Sequence, residues 1–78
     1  MTRGELFVLA AHHDWDPARI ETALREWLTS PDGQTALARA PHVYDDATGQ
    51  MRPRTVEEAV VGLLDEVAGE KRRRGLSD

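Results

Sequence analysis

Cysteine is absent from this chain, which excludes a disulfide and a thiolate metal site as staples for a small fold. The absence fits a reducing compartment, so the cytoplasm is the expected setting. No apolar run approaches the roughly 18 residues that a membrane span needs. The longest, Leu6 to Ala11, stops at His12, so neither a span nor a signal peptide is expected. Asparagine is missing too, Lys71 is the only lysine among ten basic residues, and Ile20 is the only isoleucine. Those residues have AT-rich codons, so the bias points to a GC-rich bacterium or its phage.

What is present is enough for one core. A chain of 78 residues falls below the usual size of a domain, and at that length only about 60 % of the unfolded chain's surface is buried. Residues 1–75 are therefore expected to form a single domain, marginally stable or self-associating, with 76–78 a frayed tail. The formal net charge of −4 favours solubility and argues against whole-surface attraction to nucleic acid.

The local signals predict a mainly α domain of about four helices. Thr2 and Glu5 have capping-box spacing ahead of Leu6-Phe7-Val8-Leu9-Ala10-Ala11. That run is apolar all round, so a short strand over residues 5–12 stays open, although the cap and the alanines favour helix. Asp16-Pro17 reads as an N-cap and first helical residue, with Ile20, Leu24, Trp27 and Leu28 on one stripe to about Leu28. Trp15 and Ile20 have the spacing of a hydrophobic staple, so both tryptophans read as structural. Ser30-Pro31 repeats the cap-proline signature and predicts a third helix from Pro31 to Ala40, ended by Pro41. Gly33 weakens it, and a turn over Ser30 to Gly33 with a shorter helix afterwards competes.

Between Pro41 and Pro53, Val43-Tyr44 and Met51-Arg52 flank a turn-rich segment in which Gly49 can supply a positive φ. A short β-hairpin is favoured over an ordered loop. A second capping box, Thr55 with Glu58, starts the longest helix, whose stripe is Val56, Val60, Leu63, Leu64 and Val67. Lys71 and Arg74 follow on that face, so the last turns are expected to project beyond the core, with Gly75 as the C′ stop.

No motif fixes a reaction. His12-His13-Asp14-Trp15-Asp16 invites a metal reading, but adjacent side chains on a helix diverge by about 100° and Asp16 serves as a cap. Ser30 is likewise a cap, no nucleophile elbow or phosphate-cradling glycine loop is present, and the acid pairs Asp45-Asp46, Glu57-Glu58 and Asp65-Glu66 are adjacent rather than facing. A non-catalytic protein without cofactor or metal is expected.

Two binding readings remain. The first is a protein-protein interaction module, an adaptor, assembly factor or inhibitor that binds a protein partner or itself as a homo-oligomer. Val61, Gly62 and Gly69 on the outer side of the last helix, and the basic run Lys71-Arg72-Arg73-Arg74, are its candidate residues; Ala68, Phe7 and Trp27 could extend the apolar patch. The glycines each cost a helix about 1 kcal/mol relative to alanine, which close approach of another backbone would explain. The basic run has a plainer reading as cations favoured at a helix C-terminus, with Glu70 pairing to Arg74. The second reading is a nucleic-acid-binding module, because the order helix, helix, short turn, helix, hairpin resembles that of winged helix-turn-helix domains. That resemblance implies Gln34, Thr35 and Arg39 as groove-facing residues and Arg52 and Arg54 as phosphate contacts of the wing. Asp32, Asp45 and Asp46 would oppose it.

Overall fold

Four side-chain caps set where the helices begin. In the computed structural model, which describes residues 1–76, α1 spans Arg3–His12, α2 Pro17–Thr29, α3 Pro31–Arg39 and α4 Val56–Arg73, with a hairpin of β1 (Val43–Asp45) and β2 (Gln50–Arg52) between α3 and α4. Both capping boxes form: the Glu5 amide donates to Thr2 Oγ1 at 3.1 Å and the Glu58 amide to Thr55 Oγ1 at 3.2 Å, while each glutamate returns an acceptor to the cap amide. Residues 5–12 are thus helical. No helix among the described residues is long and apolar enough to cross a membrane.

The core is built by three helices. Leu6 and Ala10 of α1, Ile20, Leu24 and Leu28 of α2, and Ala59, Val60 and Val67 of α4 are buried together. The apolar stripe of α2 lies across α4, and an ion pair from Arg25 to Glu57 crosses the same seam, with Glu21 one turn earlier on α2 pairing to the same guanidinium. Exposed pairs of this kind orient helices more than they stabilise them.

The link between α1 and α2 is strained. Asp14 and Trp15 both adopt left-handed backbone, φ 55° and 57°, which a bulky residue such as tryptophan seldom does. Hydrogen bonds from the Trp15 amide to Ala10 O (2.8 Å) and from the Asp14 amide to Ala11 O (3.1 Å) close a Schellman motif that holds them there. The ring of Trp15 packs against the edge of the core and lies 6.4 Å from the Phe7 ring.

Between α2 and α3 the link is one residue. Ser30 ends α2 by donating its amide to Trp27 O at 3.0 Å, and it caps α3 by accepting from the Gly33 amide at 3.2 Å. The helix therefore starts at Pro31, not after a turn. So abrupt a reversal presses α3 onto the α2 backbone. Gly33 is buried, and a Cβ there would lie 1.9 Å from Trp27 O and 2.6 Å from Leu28 Cα. Gly33 is the close-approach glycine of the fold.

The hairpin forms as expected, with Tyr44 paired to Met51 and Val43 to Arg52, and Gly49 at φ 72°. One face carries Val43, Asp45 and Arg52, half-buried; the other exposes Tyr44 and Met51. Arg52 anchors the hairpin by donating to both oxygens of Glu58, at 2.7 and 3.0 Å. That carboxylate also caps α4, so one side chain joins the hairpin to the helix start.

The C-terminal end departs from expectation. Lys71 and Arg74 do not project: the Lys71 ammonium donates to Trp15 O at 3.3 Å, and the Arg74 guanidinium lies 5.0 Å over the Trp15 ring. Long cationic side chains can cover aromatic surface with their stems and stack their heads on it, which an apolar-stripe reading does not count. Gly75, at φ 73°, ends α4 as expected, and the Leu76 amide is tied to Lys71 O at 3.1 Å. Leu76 thus belongs to the helix stop; the rest of the expected frayed tail, residues 77–78, lies outside the described residues.

Candidate interaction surface on helix α4

The side of α4 turned away from the core carries Glu57, Val61, Asp65, Ala68 and Arg72, spaced four, four, three and four residues apart. That spacing keeps them on one face. Val61, 66 % exposed, is the most exposed large apolar side chain of the helix. Beside it runs a groove of about 520 Å³ between α4 and the start of α2, walled by Trp15, Pro17, Val61, Leu64 and Ala68, with Asp65, Lys71 and Arg72 as its polar lining.

Of the residues expected to bind a partner, the structure gathers Val61, Gly62, Lys71 and Arg72 on this groove. Gly69 stays on the outer side of α4 without lining it. The other two are turned elsewhere: Arg73 and Arg74 both hold Glu70, whose carboxyl their hydrogen bonds keep below its ordinary range. Arg74 also lies 5.9 Å over Phe7, which Arg3 approaches on its own account at 5.8 Å. Phe7 is thereby covered. Trp27 faces a different groove, of about 370 Å³, with Leu37, Leu63 and Arg54, so neither aromatic extends the Val61 patch as expected.

A Cβ on Gly62 would meet only Arg54 Nη1 at 3.6 Å, and one on Gly69 only the guanidinium ends of Arg73 and Arg72, at 3.7 and 3.9 Å. Among the described residues no backbone from outside α4 approaches either. The fold does not require these glycines; what they do is leave the outer side of α4 low.

The nucleic-acid candidates are scattered in role. Gln34 donates to Leu28 O at 2.6 Å, Thr35 to Pro31 O at 3.0 Å, and Arg52 is committed to Glu58. The single-residue link at Ser30 also differs from the turn of about three to four residues found in helix-turn-helix units. Arg39 and Arg54 alone of the five have exposed side chains without a hydrogen bond or ion pair among the described residues.

No three metal-ligating side chains converge among the described residues. His12 is exposed, and the Nδ1 of half-buried His13 has no hydrogen-bond partner among the described residues. Comparison with known families, curated proteins and solved structures yields no match. The case for function therefore rests on the surface itself.

Trp15 and Pro17 are the groove residues from outside α4 that sequence reasoning missed. Their local roles, staple and first helical residue, are legible; their position against Val61 and Ala68 is set by how α2 crosses α4, which no spacing encodes.

Proposed function

We propose that the chain is a small non-catalytic protein-protein interaction module that associates with itself through the outer face of α4. The observation that carries this reading is exposed Val61 at the mouth of a groove walled by Trp15, Pro17, Leu64 and Ala68 and lined at its edges by charges. An apolar centre with aromatic content inside a polar rim is the usual anatomy of a protein interface. The shape adds support: a radius of gyration of 13.6 Å exceeds the roughly 11.5 Å typical of a compact domain of this length, so more side-chain surface is left uncovered. The cysteine-free sequence supports a cytoplasmic setting. The nucleic-acid alternative draws less support, because three of its five residues are engaged within the chain.

Sedimentation equilibrium tests the reading. From about 1 µM to 1 mM, the mass of the native chain should rise above 8.7 kDa, while Val61→Asp, with unchanged circular dichroism, should stay monomeric. A native chain that remains monomeric throughout refutes it.

A further inference from the structure

The outer face of α4 is polar in a directional sense. Up to residue 66 it carries Glu57 and Asp65, with Glu58 and Glu66 beside them; its last turn carries Arg72. Of the four consecutive cations, Lys71 binds Trp15 O and Arg73 and Arg74 hold Glu70. Arg72 has no ion pair among the described residues, and neither has Asp65. Two unpaired opposite charges thus stand seven residues apart on one exposed face, with Ala68 between them.

Resting on the self-association reading above, we propose that two copies pair α4 against α4 antiparallel, crossing between Ala68 and Gly69, so that Asp65 of each copy meets Arg72 of the other. The midpoint of positions 65 and 72 is 68.5, so this register places both pairs at equal distance, about 5 Å along the axis on either side of the crossing. At the crossing itself stand Ala68 and Gly69, which let the axes come to the short end of the range of about 8 to 10 Å. The arrangement is isologous and closes at two chains. A parallel pairing would set Asp65 on Asp65 and Arg72 on Arg72, with the helix dipoles also aligned unfavourably.

Charge reversal at low salt separates this geometry from self-association in general. Asp65→Arg and Arg72→Asp should each weaken dimerisation by roughly tenfold, since each turns two attractions into two repulsions; the double variant, which rebuilds both pairs in swapped order, should return to within about threefold of the native chain. Among the described residues neither has an ion pair to lose, and circular dichroism checks that each variant is folded. Single variants that dimerise as well as the native chain, or a double variant as weak as the singles, overturn the antiparallel register while leaving self-association standing. A native chain that never dimerises overturns both.

Discussion

Replacing Gly33 by alanine sets two effects of opposite sign against each other, and the structure states which one wins. Helix propensity alone favours the alanine by about 1 kcal/mol, because Gly33 sits inside α3. The added methyl, however, would lie 1.9 Å from Trp27 O, 2.6 Å from Leu28 Cα and 2.7 Å from Trp27 C, all main-chain atoms that cannot swing aside. Methyl carbons keep more than 3.0 Å from such neighbours, so α3 must retreat from α2 by at least 1.1 Å, the difference between 3.0 and 1.9. That motion stretches the Gln34 bond to Leu28 O and disturbs the Ser30 cap. Overpacking costs about 1 to 3 kcal/mol and a lost cap about 1, so after the propensity gain the net destabilisation is about 1 to 3 kcal/mol. For a domain of this size it lowers the melting temperature by about 5 to 20 °C, measurable from ellipticity at 222 nm. The sign is the discriminator. A Gly33→Ala variant melting at or above the native temperature means that propensity has won and that α3 does not lie on the α2 backbone as described.

Gly62→Ala and Gly69→Ala would bring a methyl only against flexible arginine ends at 3.6 Å or more and should each raise monomer stability by about 1 kcal/mol, read from melts at low protein concentration; a loss at either site means that a backbone lies closer than described. Leu24→Ala, fully buried where α2 meets α4, should cost about 2 to 5 kcal/mol in urea unfolding, and a cost under about 1 would mean that the seam is loosely packed. Acid should destabilise the fold through Glu58. The Arg52 guanidinium, then the Thr55 amide, hold its carboxyl down to about 2 against an ordinary 4.5, so between those pH values the unfolded chain binds the extra proton. Stability is fully present above about pH 4.5 and declines toward pH 2, and Glu57 and Glu70, also lowered by arginine partners, act in the same direction. Glu58→Gln should flatten the acid arm of the melting-temperature profile, and an unchanged slope would exclude Glu58 as a contributor.

The parts of the fold legible in the sequence are those whose causes are local. Thr2 with Glu5, Asp16 with Pro17, Ser30 with Pro31, and Thr55 with Glu58 each place an acceptor where a helix needs it, and every one of these starts is found where expected. The Gly49 turn and the Gly75 stop follow from backbone angles that glycine adopts at no steric cost. What could not be read has its cause in tertiary approach. Gly33 looked like a defect in a weak helix because its neighbour, Trp27 O, is brought to it only by the fold of α3 onto α2. Gly62 and Gly69 drew attention by standing seven residues apart, yet among the described residues no backbone from outside α4 comes near them. Lys71 and Arg74 mark the end of an apolar stripe and so suggested an unsupported helix end, whereas their stems and heads cover Trp15, a residue in a different segment. The candidate surface was half legible: Val61 and Arg72 follow from the face of α4, while Trp15 and Pro17 enter only through helix crossing.

Ser30 belongs to two helices at once, and this fixes the chain length at that point as rigidly as a bond length. One residue inserted after it would turn α3 by about 100° about its axis, carrying Gly33 off the α2 backbone and a larger side chain onto it. The span from Pro41 to Arg54 has no such constraint, being fastened chiefly by Arg52 to Glu58, and its turn at residues 46–49 can lengthen at little entropic cost. Tags, labels or grafted peptides therefore belong at the hairpin tip, and the α2–α3 corner should be treated as a single indivisible block in any redesign.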